Sequence, residues 1–204
     1  MSIADILDVI LNLAVYAVTV ALVARCFRKD GKWAPGEARK AFRFFTVQSN
    51  TLCAVTCLLT AACRYAGFLP EWVWILKYAG TAAVAVTMLT VLLFLRPAAG
   101  PDWYDMLLKG PGNLFMHLLT PLLALFTFCV LEKRGMTFPQ CLFGLLPVAL
   151  YGPLYLYKII YAPEEKRWDD FYGFNKEGKW PASFAGMLAG TFLLCLALML
   201  LQNL

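Results

Sequence analysis

The chain has 204 residues, is 61% apolar, and carries 18 Lys and Arg against 13 Asp and Glu, a net charge of +5. A mean hydropathy of +0.65 excludes an ordinary soluble domain and a disordered chain, and belongs to an integral membrane protein. The basic residues cluster between apolar runs, so the charge reads as orientation and contact with anionic lipid and excludes nucleic-acid binding as its purpose.

Crossing the hydrocarbon takes roughly 20 mostly apolar residues. Six runs meet that requirement, at about 4–24, 44–66, 73–95, 113–131, 138–158 and 182–202. The expected fold is therefore all-α, a polytopic membrane bundle of six transmembrane helices forming a single domain over residues 1–204. The first run has Asp5 and Asp8 in its opening turns, and with Asn12, Tyr16 and Thr19 they share one helix face. It lacks a basic leader and a small-residue cleavage pattern, so it reads as a retained span. The Asp pair and Lys158 lie at span ends, where snorkelling is expected to keep their charges wet.

A basic stretch, 25–43, leads into the second run through KAFRFFTVQSN. There Thr46, Ser49, Asn50, Cys53, Cys57 and Thr60 form one stripe. The turns GFLPE (67–71) and EKRGMTFP (132–139) are short and punctuated by Gly and Pro. RPAAGPDWYDMLLKGPG, before the fourth run, has the mixed aromatic and acidic character of an interfacial or re-entrant segment. The fourth run itself carries the stripe Asn113, His117, Thr120, Ala124 and Thr127, and the fifth offers Gly144, Pro147, Tyr151, Tyr155 and Lys158. APEEKRWDDFYGFNKEGKWP, before the last run, mixes charge with five aromatics and suits either a headgroup-level belt or a lid over a pocket. Most of the seven cysteines fall inside the runs and read as small apolar residues, with no disulfide framework or zinc spacing among them. No internal repeat supports a repeat-built transporter.

Six crossings put the loops 25–43, 96–112 and 158–181 on one side, with fourteen of the eighteen Lys and Arg. Those loops are expected in the cytoplasm and both termini outside, and the compact loops fit a bacterial inner membrane. The second and fourth helices then start on the same side, which puts Thr46 and His117, the only histidine, at similar depth. An imidazole inside a membrane span is a functional-site hypothesis by default. A hydroxyl becomes a nucleophile once a base takes its proton, and helix N-termini present unpaired N–H groups suited to an oxyanion. Asn50 and Asn113, each one turn from its partner, are placed to donate to that oxyanion or to orient the ring. From spacing alone, packing through interhelical hydrogen bonds is the favoured account of the same residues.

The residues just described resemble those of the androgen-induced family of six-helix transmembrane threonine hydrolases, and of small bacterial membrane proteins related to it. KAFRFFTVQSN is similar to the family's threonine motif, and GNLFMHLLTP to its second motif, with Asn113, Met116, His117 and Pro121 at matching spacings. GKWPASFAGML resembles the lead-in to a late helix, without the aromatic between Trp180 and Pro181. The resemblance implies a Thr46 nucleophile, a His117 general base and a fatty-acyl ester substrate drawn from membrane lipids. The family's second histidine is Leu114 here; Ser49 shares the Thr46 face as an alternative nucleophile, and Asp102, Asp105, Asp169 or Asp170 is available to orient His117. Neither a cofactor nor a metal is expected, since one histidine does not make a multi-histidine metal site. Two other classes remain open: a small transporter or channel using Asp5, Asp8, Asn12 and His117, and a non-catalytic scaffold.

Overall fold

A computed structural model describes residues 1–95, 104 and 109–204. The six expected spans form as α1 (Ile3–Cys26), α3 (Phe45–Tyr65), α4 (Glu71–Leu93), α5 (Gly110–Leu131), α6 (Phe138–Tyr161) and α7 (Trp180–Asn203), each long and apolar enough to cross a membrane. A seventh, short helix, α2 (Pro35–Ala41), lies between α1 and α3 with Pro at its first position. The basic stretch before it also holds a small hairpin, β1 (Arg28–Lys29) paired antiparallel with β2 (Lys32–Trp33). Its turn is Asp30–Gly31, both at positive φ, the conformation that a two-residue hairpin loop demands.

The span limits follow local chemistry. Ser2 caps α1 in a reciprocal box: its Oγ accepts from the Asp5 N–H at 3.1 Å while Asp5 accepts from the Ser2 N–H at 2.9 Å. Pro70 caps α4 in extended conformation, which moves that helix two residues earlier than its hydropathy suggests. Residues Asp102 and Asp105, and most of the segment expected to be interfacial or re-entrant, lie outside the described residues.

α4 runs through the centre, with Ala82, Ala83, Val84 and Ala85 fully buried. Small residues let its neighbours come close: a Cβ on Gly80 would sit 3.0 Å from the Cys53 Cα on α3. At one end Trp74, Tyr78 and Phe128 stack at 5.2 and 5.5 Å between ring centres, and the Tyr78 hydroxyl donates to the Cys141 carbonyl at 2.8 Å. Both chain termini gather at this end. Asp5 pairs with Arg64 at 3.6 Å, and Asn203 exchanges hydrogen bonds with the Met136 backbone at 2.9 Å. The outward faces carry exposed Ile6, Ile10 and Val20 on α1 and Leu193 and Leu200 on α7, as lipid-facing surfaces do. The molecule is a multi-pass helical bundle built for a membrane.

Charge inside the bundle departs from the sequence expectation. Asp8 does not snorkel: it is 1% exposed and meets Arg64 at 3.2 Å. Lys77 and Glu132 are both fully buried, 3.7 Å apart. Asn12 links them, donating from Nδ2 to Asp8 at 2.9 Å and Glu132 at 3.1 Å, and accepting from Lys77 at 2.7 Å. Cys57 is more than an apolar filler, because the Lys77 ammonium lies 3.0 Å from its sulfur. The physical reason is mutual satisfaction. Four charges and an amide from α1, α3, α4 and the end of α5 compensate one another where water cannot.

Candidate functional site

Two helix beginnings build the site. α3 starts at Phe45 after an extended Phe44 that brings no side-chain cap. The Val47 and Gln48 N–H groups turn back to the Phe44 carbonyl at 3.2 and 3.3 Å. The Phe45 N–H instead donates, at 3.0 Å, to the phenol oxygen of Tyr172. α5 starts at Gly110 with Pro111 in its first turn, then widens over Phe115–Leu119 into a π-type turn in which the Thr120 N–H reaches back to Phe115. Pro121 supplies the cause: it has no N–H to offer the His117 carbonyl four residues earlier, and its ring crowds that carbonyl. His117 therefore sits at the middle of a local widening of its helix.

Thr46, Asn113 and His117 line one cavity of about 250 Å³. Thr87 and Val91 of α4 and Tyr151, Tyr155 and Gly152 of α6 form much of the rest of its wall. Phe171, Tyr172 and Phe174 close it from the segment between α6 and α7. That segment is thus a lid over the cavity, and its rings pack on Tyr155 at 5.0–5.7 Å between centres. Burial pushes the Tyr172 phenol up from its ordinary pKa, against the pull of the Phe45 N–H and the Tyr151 and Thr46 hydroxyls, so it stays neutral.

The remaining residues singled out from sequence sit beside the cavity. Asn50 is fully buried and gives both amide hydrogens to carbonyls, Thr46 at 2.8 Å and Met116 at 3.0 Å. It ties the first turn of α3 to the residue before His117, and in this arrangement has no hydrogen left for an oxyanion. Ser49 is buried too, its hydroxyl 2.8 Å from that of Thr87. Asp170 holds the lid together: it accepts from the Tyr155 hydroxyl at 2.8 Å and from the Phe174 and Asn175 N–H groups at 2.9 and 2.7 Å. Asp169 is exposed.

Sequence reasoning offered the segment with Tyr172 as a belt or a lid without singling that residue out, and missed Thr87 as a wall residue. The DDFYGFN stretch did carry a signal, an Asp followed by Gly and Asn in the pattern of a tight side-chain-capped turn. No group of three or more His, Cys, Asp or Glu placed to hold a metal occurs among the described residues.

Fold and burial define a multi-pass helical membrane protein with an aromatic-walled cavity at the end where the basic loops lie. Compared with protein-family models, curated proteins and solved structures, the chain matches none.

Proposed function

We propose that this protein is an intramembrane lipid-ester hydrolase that uses Thr46 as nucleophile and His117 as general base. The observation that carries the reading is the meeting of Thr46, Asn113 and His117 on one cavity, 67 or more positions apart in sequence between the threonine and the other two. An apolar, aromatic wall with a few convergent polar groups is the usual form of a small-molecule site. His117 takes the Thr46 proton as Oγ1 attacks the ester carbonyl, and the carbonyl oxygen becomes an oxyanion. Collapse of that intermediate breaks the ester C–O bond; the alcohol leaves with the proton from His117 and the acyl group stays on Thr46. Water, deprotonated by His117, then releases the fatty acid. An acceptor lipid in place of water makes the same chemistry an acyltransferase.

The orientation belongs to the same reading. The basic loops face the cytoplasm, both termini face outward, and acyl chains reach the cavity from the inner leaflet of a bacterial inner membrane. A fluorophosphonate probe on the detergent-purified protein tests the chemistry. Labelling is expected in the wild type, absent in Thr46→Ala and reduced at least tenfold in His117→Ala, with all three folded. Loss of labelling with Ser49→Ala and not with Thr46→Ala would move the nucleophile one turn along α3.

A second reading, a proton or ion pathway, draws on the buried Asp8–Asn12–Lys77–Glu132 cluster. Folded wild type that is not labelled but conducts ions in liposomes, with conduction surviving Thr46→Ala, would favour it over the hydrolase.

A further inference from the structure

The lid does more than cover the cavity, because its central side chain occupies a chemically specific position. Trp168 anchors one end of the lid, its backbone N–H donating to the Lys158 carbonyl at 3.0 Å. Asp170 gathers the turn through Tyr155, Phe174 and Asn175. The Tyr155 hydroxyl, while donating to Asp170, accepts from the Tyr172 N–H at 3.1 Å. Tyr172 is thereby held with its ring in the cavity and its oxygen 3.0 Å from the Phe45 N–H, one residue before Thr46.

That N–H matters for acyl transfer at Thr46. Attack by Oγ1 creates an oxyanion close to the nucleophile's own backbone, and N–H groups in the first turn of a helix are the donors that stabilise such charge. Asn50 has spent its donors on carbonyls. The Phe45 N–H is aimed at an oxygen inside the cavity, and that oxygen belongs to Tyr172.

We infer that Tyr172 is a displaceable latch, its phenol oxygen holding the place that the substrate's carbonyl oxygen takes at the Phe45 N–H. Lid and ester then compete for the Phe45 N–H, and Tyr172 governs how readily an ester gains the site. It is a positioning residue rather than a participant in bond making. The inference rests on the hydrolase reading and adds to it the donor and the group that screens it.

Tyr172→Phe keeps the ring and removes the oxygen. Fluorophosphonate labelling should become about threefold to tenfold faster, the range set by loss of one competing hydrogen bond. With a p-nitrophenyl octanoate substrate KM should fall by a similar factor while kcat holds. A fall in kcat at unchanged KM would overturn the latch and make the phenol a proton donor in the chemistry. Asp170→Asn supplies a second variant, since it loosens the lid and leaves the phenol in place; faster labelling is expected there too, and unchanged labelling counts against the latch. If Thr46-dependent labelling occurs but neither variant changes its rate, the latch falls and the hydrolase stands. If neither folded wild type nor Tyr172→Phe is labelled, the hydrolase reading falls and the latch with it.

Discussion

Lys77 shows what one residue costs and gives in an apolar bundle. Its ammonium is fully buried and is met by the Glu132 carboxylate at 3.7 Å, the Asn12 side-chain Oδ1 at 2.7 Å and the Cys57 sulfur at 3.0 Å. Bringing such a charge out of water costs several kcal/mol, which the partners offset only together. Removing one member leaves the others uncompensated. Lys77→Met should destabilise the protein by about 3–5 kcal/mol, whereas Lys77→Met combined with Glu132→Met should recover most of that loss. Thermal unfolding in detergent measures both, and a coupling energy below about 0.5 kcal/mol between the two sites would mean that the pair acts independently. Asn50 works by the same logic on a smaller scale. It gives one hydrogen to the Met116 carbonyl, which the widened turn and Pro121 leave short of a donor, and the other to the Thr46 carbonyl, which also accepts from the Ser49 hydroxyl at 3.1 Å.

At the scale of an element, α5 places His117 through a defect rather than through regularity. Its apolar run specifies a span, and Pro121 then interrupts the hydrogen-bond ladder so that Phe115–Leu119 takes the wider turn. Inserting one extra residue into a turn rotates everything on its far side by about 100° relative to an unbroken helix. Pro121→Ala restores the N–H and removes the ring's crowding, so α5 is expected to close to a regular helix. Stability should hold or rise by about 1 kcal/mol, and probe labelling should fall at least tenfold as His117 turns relative to Thr46. Retained labelling together with a regular α5 would show that the widening has no part in placing the ring. Spacing arguments on the chain found the Asn113–His117–Thr120 stripe because a period of 3.6 survives one wide turn over so short a distance. The turn itself was legible only as a proline four residues after the histidine.

For the whole molecule, what the sequence discloses divides by the range of the interaction. Spans depend on local composition, and all six appear within three residues of the limits read from hydropathy. The cavity wall includes both Thr46 and His117, although α5 starts at Gly110, so His117 lies about two turns into its span and Thr46 in the first turn of α3. Helix neighbours are another matter. Asp8, Lys77 and Glu132 each lie near a span end or turn when taken singly, and their compensation arises only once four helices are side by side. The Tyr172–Phe45 hydrogen bond joins residues 127 positions apart, beyond any periodic signal. Orientation is the global property that rests most directly on sequence: fourteen of eighteen Lys and Arg occupy the loops at one end. Charge near span ends sets insertion by retaining basic segments in the cytoplasm, whatever acids accompany them. Two of the four exceptions, Arg64 and Lys77, are taken up by Asp8, Asp5, Asn12 and Glu132 and present little free charge. A C-terminal alkaline phosphatase fusion expressed in bacteria should therefore be active, and a C-terminal green fluorescent protein fusion dark. The reverse pair of results would invert the molecule, set the cavity at the outer face and remove the inner leaflet as the source of its acyl chains.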